Sequence, residues 1–415
     1  MKTKENKSLQ AEKLRRFVDL ARVYRGWTRG ELSKALGRDP SKLVPDSGNP
    51  KLDLLVGLAE ALDWQVGDIA ESVWLDSDRA FDNADGVDQL RVAARAAHHE
   101  GRYKDLQMIS RQMRSAASTP EDRARACYAE FLSWDGIGRY NRALECIQEA
   151  LCERSLSPEL QVVLETNLAS AHYAIWHLVE ARAVASNLIE RLESQPIETI
   201  VDRTNLAYAY YVSGNTSRRM IEKGCPRFDM RVNEARTNLR RAIELYTDAD
   251  TDEINPNHAG IANTCIGALI EVDAADGSIP AIAAVERIAE GLESAIDPTQ
   301  MPVGDWLESW GWWSIFGCNI ALRSLDDPDL HHYMAIFTNK AIEIADRLGN
   351  WSMRERAFTM ENFRRRRVTS STGFQPDWVL DDDDVRVITG TMGRFPGFRE
   401  TGWHILEKAR VFDNS

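Results

Sequence analysis

The 415-residue chain reads as an all-α protein, with five short N-terminal helices followed by a right-handed solenoid of stacked helix pairs. Three observations predict this. Apolar residues recur at helical spacing, as in Leu14, Phe17, Val18, Ala21 and Val23. Short phrases return at an interval of 37 or 38 residues. The two ends also differ in charge: residues 1–51 carry 13 Lys/Arg against 6 Asp/Glu, and the remainder holds 38 against 58. One end is built to approach a polyanion and the rest is not.

Composition bounds the answer further. With 43% apolar and 28% charged residues the chain is foldable and long enough for two or three domains, which excludes disorder, a collagen and a disulfide miniprotein. Six cysteines (127, 146, 152, 225, 265 and 318) form no CxxC pair and have no histidine at zinc spacing, so reduced, buried thiols are expected. No basic-then-apolar leader is present, and the longest uncharged apolar stretch, Trp310 to Leu322, falls short of the ~20 residues that cross a bilayer. A soluble, cytoplasmic protein with no membrane partner is the expectation.

Residues 1–75 form the first domain, with residues 1–8 expected as a mobile tail. After a break at Gly26, Thr28 and Glu31 make a capping box ahead of Leu32, Ala35 and Leu36, and Gly37 stops that helix. Asp39-Pro40 opens a third helix, with the proline where its missing N–H costs nothing. Leu52, Leu55, Leu58, Ala59 and Leu62 make the next stripe, and Val66, Ile69 and Val73 the last. The stretch Trp27 to Gly37 and the stretch Leu54-Leu55-Val56-Gly57-Leu58-Ala59-Glu60-Ala61-Leu62 resemble the helix-turn-helix (HTH) domain of the Cro-type (XRE) repressor superfamily, over about 65 residues. The chain departs from it at Val44-Pro45, which confines the groove-entering helix to Pro40–Val44, and in a shorter link to the following helix. The resemblance implies binding to double-stranded DNA, with Thr28, Arg29, Arg38, Ser41, Lys42 and Lys51 as the contact residues. Arg29 stands where relatives usually carry Gln.

Residues 76–85, acidic and poor in apolar side chains, read as a linker. Beyond it Gly101-Arg102-Tyr103 returns as Gly138-Arg139-Tyr140, and Thr166-Asn167-Leu168-Ala169 as Thr204-Asn205-Leu206-Ala207. Glu180-Ala181-Arg182 returns as Glu234-Ala235-Arg236 after the same period plus 16 residues, so Gly214–Asp229 is expected as an inserted loop carrying Arg218, Arg219, Lys223 and Arg227. This grammar, clearest from Gly138 to Leu151, resembles the tetratricopeptide repeat (TPR). Six units over residues 86–350 are expected to stack into a groove-forming solenoid, with 351–415 as extra helices or a cap ending in a helix from Thr401 to Val411.

Asn167 and Asn205 fall at the same place in successive first helices, and Asn263 and Asn319 at comparable places in later units. A ladder of such amides grips the backbone of an extended peptide. The combination resembles the peptide-sensing HTH plus TPR transcription regulators of the PlcR and Rgg type, which implies a short peptide or partner-protein segment in the groove. Among four indoles, Trp306, Trp310 and Trp313 share a helical face and read as core, whereas Trp312 points elsewhere and is a ligand-binding candidate. Arg364–Arg367 and Asp381–Asp384 read as solvated runs that could also pair with each other. The adjacent pairs His98-His99 and His331-His332 diverge on a helix, so no metal is assigned. No catalytic motif or cofactor loop is present, so no cofactor and no enzyme activity are expected. The reading is a homodimeric, ligand-sensing DNA-binding regulator. The other is a TPR adaptor whose degenerate HTH serves packing or dimerisation.

Overall fold

A computed structural model describes residues 4–45, 49–64, 66–74, 86–194, 199–222, 224–247, 256–295, 303–373 and 378–411. The chain divides into two compact units, Met1–Ala84 and Asp85–Ser415. The linker expected at 76–85 lies outside the described residues.

The first unit contains α1 (Lys4–Arg25), α2 (Arg29–Ala35), a 3-10 turn (Pro40–Lys42), α3 (Leu52–Leu62) and α4 (Val66–Trp74). Helix α1 therefore begins inside the stretch expected as a tail. The predicted capping box forms: the Thr28 N–H donates to the Glu31 carboxylate at 2.7 Å, and the Thr28 hydroxyl accepts from the Glu31 N–H at 3.3 Å. The third segment is a single turn, in which the Asp39 carboxylate accepts from the Ser41 N–H at 2.8 Å. Val44 before Pro45 disfavours any continuation as α-helix. Leu14, Leu32, Leu54, Leu58 and Ile69 are fully buried and hold the helices together, each contributing roughly 1.5–3 kcal/mol over exposure. Val23, placed with that face by spacing, is exposed. At the end of α3 the backbone turns left-handed at Asp63, where Arg25 bonds the Ala61 and Glu60 carbonyls and the Asp63 carboxylate.

The second unit is built from helix pairs: α5 (Val87–His99) with α6 (Tyr103–Ala116), α7 (Pro120–Gly136) with α8 (Tyr140–Cys152), α9 (Pro158–Ala174) with α10 (Leu178–Glu193), α11 (Ile200–Arg219) with α12 (Phe228–Thr247), α13 (Pro256–Asp276) with α14 (Ala281–Ala295), and α15 (Gly304–Ser324) with α16 (Asp327–Leu348). Proline opens α7 and α9, where no N–H is needed. Gly101 and Gly138 supply the left-handed turns of the first two pairs at φ +68° and +74°. The repeated Glu-Ala-Arg phrase has a structural counterpart: its alanines are buried, and each arginine reaches an acid of the next helix pair or unit. Arg182 meets Glu234 at 2.7 Å, and Arg236 meets Asp273 at 2.7 Å.

Two sequence expectations are corrected. The inserted stretch is not a loop from Gly214 onward, because α11 continues to Arg219 with residues 213–218 buried. Gly214 is needed there, since a Cβ would lie 3.0 Å from the Leu239 backbone nitrogen, and Thr216 satisfies its hydroxyl on the Val212 carbonyl. Lys223 lies outside the described residues. The C-terminal part is α17 (Trp351–Thr372), β1 (Trp378–Leu380), α18 (Asp382–Arg394), a 3-10 turn (Pro396–Phe398), α19 (Arg399–Lys408) and β2 (Ala409–Val411), with β1 parallel to β2. The last expected helix thus ends in a strand. Among the described residues the two runs are engaged elsewhere: Arg364 and Arg365 bond Glu361, Arg367 bonds the Leu322 and Leu325 carbonyls, and Asp381 caps α18.

This C-terminal part returns to the second helix pair. Arg139 donates to the Gly393 carbonyl at 2.8 Å, Arg394 to the Ile137 carbonyl at 3.1 Å, and Tyr140 packs on Phe395 with ring centroids 5.3 Å apart. Through these contacts, which span more than 250 residues of sequence, Phe395 lines a cavity together with residues of α7, α9, α11, α15 and α17.

Candidate functional site

In the N-terminal unit, Arg29 and Ser41 share a cleft of about 510 Å³ with Arg15 and Arg22 of α1. The three arginines are exposed and, among the described residues, none is ion-paired. Arg15 and Arg22 were missed by sequence reasoning, although seven residues put them on one face of a helix, two turns apart. Lys42 and Lys51 are exposed. The remaining candidates are engaged locally. The Thr28 hydroxyl is bound to Glu31 at 2.8 Å, and Arg38 is half-buried in an ion pair with Asp53 at 2.7 Å.

In the solenoid the four asparagines do not converge. Asn167 donates to the Val163 carbonyl of its own helix and to the Tyr128 hydroxyl, and Asn205 to the Val201 carbonyl of its own helix. Asn263 is buried and ties α13 to α15 through Ser309 at 2.8 Å. Asn319 borders a cavity, which it shares with Trp312. Equivalent places in successive repeats face different surroundings here because α13 and α15 approach closely: a Cβ at Gly260 would lie 2.6 Å from the Asp305 carbonyl oxygen. Trp310 and Trp313 are core, as spacing predicts, whereas Trp306 is 40% exposed.

The inner face holds two adjoining cavities, of about 300 and 440 Å³, that share Trp176, Arg219, Trp312 and Arg356 as walls. One end is cationic. Arg218 is ion-paired with Glu271, which also accepts from Arg323 at 3.0 Å and Asn319 at 3.2 Å, and Arg218 lies 4.5 Å over the Phe316 ring. Burial works against the Arg218 charge and Glu271 more than restores it, so its pKa stands above the ordinary value. Arg219, one residue on, is stacked 3.8 Å from the Tyr173 ring and 4.2 Å from Trp176, with one hydrogen bond to the Tyr173 carbonyl at 3.3 Å. Burial, then the neighbouring Arg218 and Arg356, push its pKa down to about 10. Arg356 stacks on Trp176 at 4.3 Å and pairs with Glu355 at 2.5 Å.

The other end is acidic. Asp135 lines the larger cavity, and burial followed by repulsion from Glu308 pushes its pKa up to about 6. Glu308 accepts from the Trp312 indole at 3.0 Å and from the Asn350 amide at 2.9 Å, and burial holds its pKa above the ordinary value as well. The walls thus offer charges of both signs beside aromatic rings. Among the described residues no group of His, Cys, Asp and Glu could hold a metal ion, and no helix is long and apolar enough to cross a membrane.

No family model matches the chain, and no curated protein matches it. Among solved structures it is similar to Bacillus thuringiensis PlcR in complex with the peptide PapR7 and DNA, at 15% identity over 80% of this chain and 99% of that one, with a TM-score of 0.33.

Proposed function

We propose that the protein is a homodimeric, DNA-binding transcription regulator and not an enzyme, with duplex DNA held by the first unit and a short peptide or partner-protein segment sensed by the solenoid. The observation that carries the DNA half is the exposed trio Arg15, Arg22 and Arg29 around Ser41, without an ion pair among the described residues, in an otherwise acidic protein. Cations in that setting bind phosphates by releasing counterions, so affinity falls steeply with salt. A dimer follows from the short third segment, since one three-residue turn buries too little on DNA to be specific alone. The ligand acts by changing the spacing of the two DNA-binding units, because half-sites sit about 34 Å apart.

The test is binding of the full chain to random duplex DNA across a salt series, with stoichiometry from sedimentation. Two protomers per duplex are expected. Changing Arg15, Arg22 and Arg29 together to Ala should flatten the log–log salt slope by up to about 3, at ~0.9 per lost phosphate contact. An unchanged slope overturns the assignment of these residues. The second reading, an adaptor with a degenerate HTH, is favoured by the 3-10 turn where a groove-filling helix would stand. No retention of duplex at about 50 mM salt would decide for it.

A further inference from the structure

The groove carries charges that the fold does not balance. Arg218, Arg323 and Arg356 each meet a carboxylate, but Arg219 has an aromatic stack and one carbonyl. Asp135 makes no hydrogen bond or ion pair among the described residues, and Glu308 meets only the neutral donors of Trp312 and Asn350. Arg219 and Asp135 wall the same cavity without pairing with each other. A charge partly withdrawn from water without an opposite partner is unfavourable, and this cavity retains two of opposite sign, both half-buried.

A second, independent feature lies between them. Trp176 closes the α9–α10 turn at φ +68°, the left-handed position that Gly101 and Gly138 occupy in the preceding pairs. For a bulky side chain this conformation is strained, and such strain collects at ligand clamps. The strained indole stands against both Arg219 and Arg356 and walls both cavities. With Asn167 and Asn205 turned onto their own helices, there is no amide ladder for a long extended chain, while the cavity volumes suit a small ligand.

We infer that the groove takes a small zwitterion whose carboxylate meets Arg219, whose ammonium meets Asp135 and Glu308, and whose apolar body lies along Trp176 and Trp312. Ammonium and carboxylate are held apart by that body, since the protein groups that receive them are not paired. This deepens the ligand half of the proposed function and rests on it only for the consequence at DNA.

The experiment titrates the full-length chain by calorimetry with pooled tripeptides bearing free termini, and with the same pools N-acetylated or C-amidated. Free pools are expected to bind, and blocking either end to weaken binding at least about tenfold, the scale of one lost charged hydrogen bond. Arg219→Gln should make amidation harmless, and Asp135→Asn combined with Glu308→Gln should make acetylation harmless, with Asp135→Asn alone reducing the effect of acetylation, each leaving sensitivity to the other end. Neither single variant removes a native ion pair; Asp135→Asn should melt no lower than the parent, and Arg219→Gln, which loses its stacks on Tyr173 and Trp176, should melt only slightly lower. Equal binding of free and blocked pools, or no binding by any pool at about 1 mM, overturns the inference. Duplex retention measured on the same samples separates the outcomes: its failure alone overturns the regulator reading, and failure of the pools alone overturns this one.

Discussion

In the N-terminal unit Arg15, Arg22 and Arg29 stand in water with no carboxylate partner among the described residues. In the groove the Arg218 and Glu271 side chains are 4% and 1% exposed, and their charges are met by one another, by Arg323 and by two asparagines. The same residue type is therefore used in two ways. A surface arginine keeps its hydration, acts over about 8–10 Å through salt-screened attraction, and is nearly neutral for stability. A buried one has lost its hydration and depends on fixed partners, so removing it leaves the partner stranded. The first kind suits a polyanion that arrives from solution, and the second suits a pre-shaped cavity.

The largest expected effect tests this directly. Arg218→Ala leaves Glu271 buried against Asn319 and the less buried Arg323, and should cost about 3–5 kcal/mol in urea unfolding. Arg29→Ala should stay within about 0.5 kcal/mol of the parent. If the two variants unfold alike, burial does not distinguish the two sets of arginines and the comparison breaks.

A smaller effect, with a pH signature, belongs to Asp135. Its pKa of about 6 in the folded state lies above the ordinary carboxyl value, so the native protein takes up this proton before the unfolded chain does. Stability from this group is present below about pH 4 and is lost as pH rises through 6. Asp135→Asn lacks that loss, so the variant should exceed the parent above pH 7 by something on the order of 1–3 kcal/mol and match it near pH 4. Melting curves between those limits check it. A constant offset at every pH would show that Asp135 is not a buried, unpaired acid.

The helix pairs were legible because each depends on nearby sequence: the apolar stripes, and the repeated phrases that put Gly101 and Gly138 at the turns. The groove was not, because its walls come from distant units and its closure joins Arg139 to Gly393. The repeat spacing misled at 214–219, where the start of the 16 extra residues reads as loop but continues α11 against α12, with Asn238 bonded to the adjoining Ser213 at 2.9 Å. Trp312 was found at the groove because its angle on the helix differs from that of its buried neighbours. The asparagine register failed to transfer because equal sequence positions do not guarantee equal surroundings once α13 and α15 press together.

The smallest expected effect on stability sharpens the surface half of the comparison. Arg38 lies between the two kinds of arginine, since its side chain is 17% exposed while its partner Asp53 is 66% exposed. Desolvation works to raise the Asp53 carboxyl, but the Arg38 hydrogen bond, then the Leu54 N–H and the charges of Arg38 and the nearby Lys51, together hold it below its ordinary pKa. An exposed acid paired this way contributes little to folding, so Asp53→Ala should leave the melting temperature almost unmoved. On DNA the same acid opposes every nearby phosphate. Removing it frees Arg38 and uncovers Lys51, so duplex affinity should rise several-fold at low salt and the salt slope should steepen by about one contact. If Asp53→Ala instead weakens duplex binding at unchanged melting temperature, the ion pair is holding Arg38 in position for DNA, and Arg38 belongs with the fixed, partner-dependent arginines of the groove despite its place at the surface.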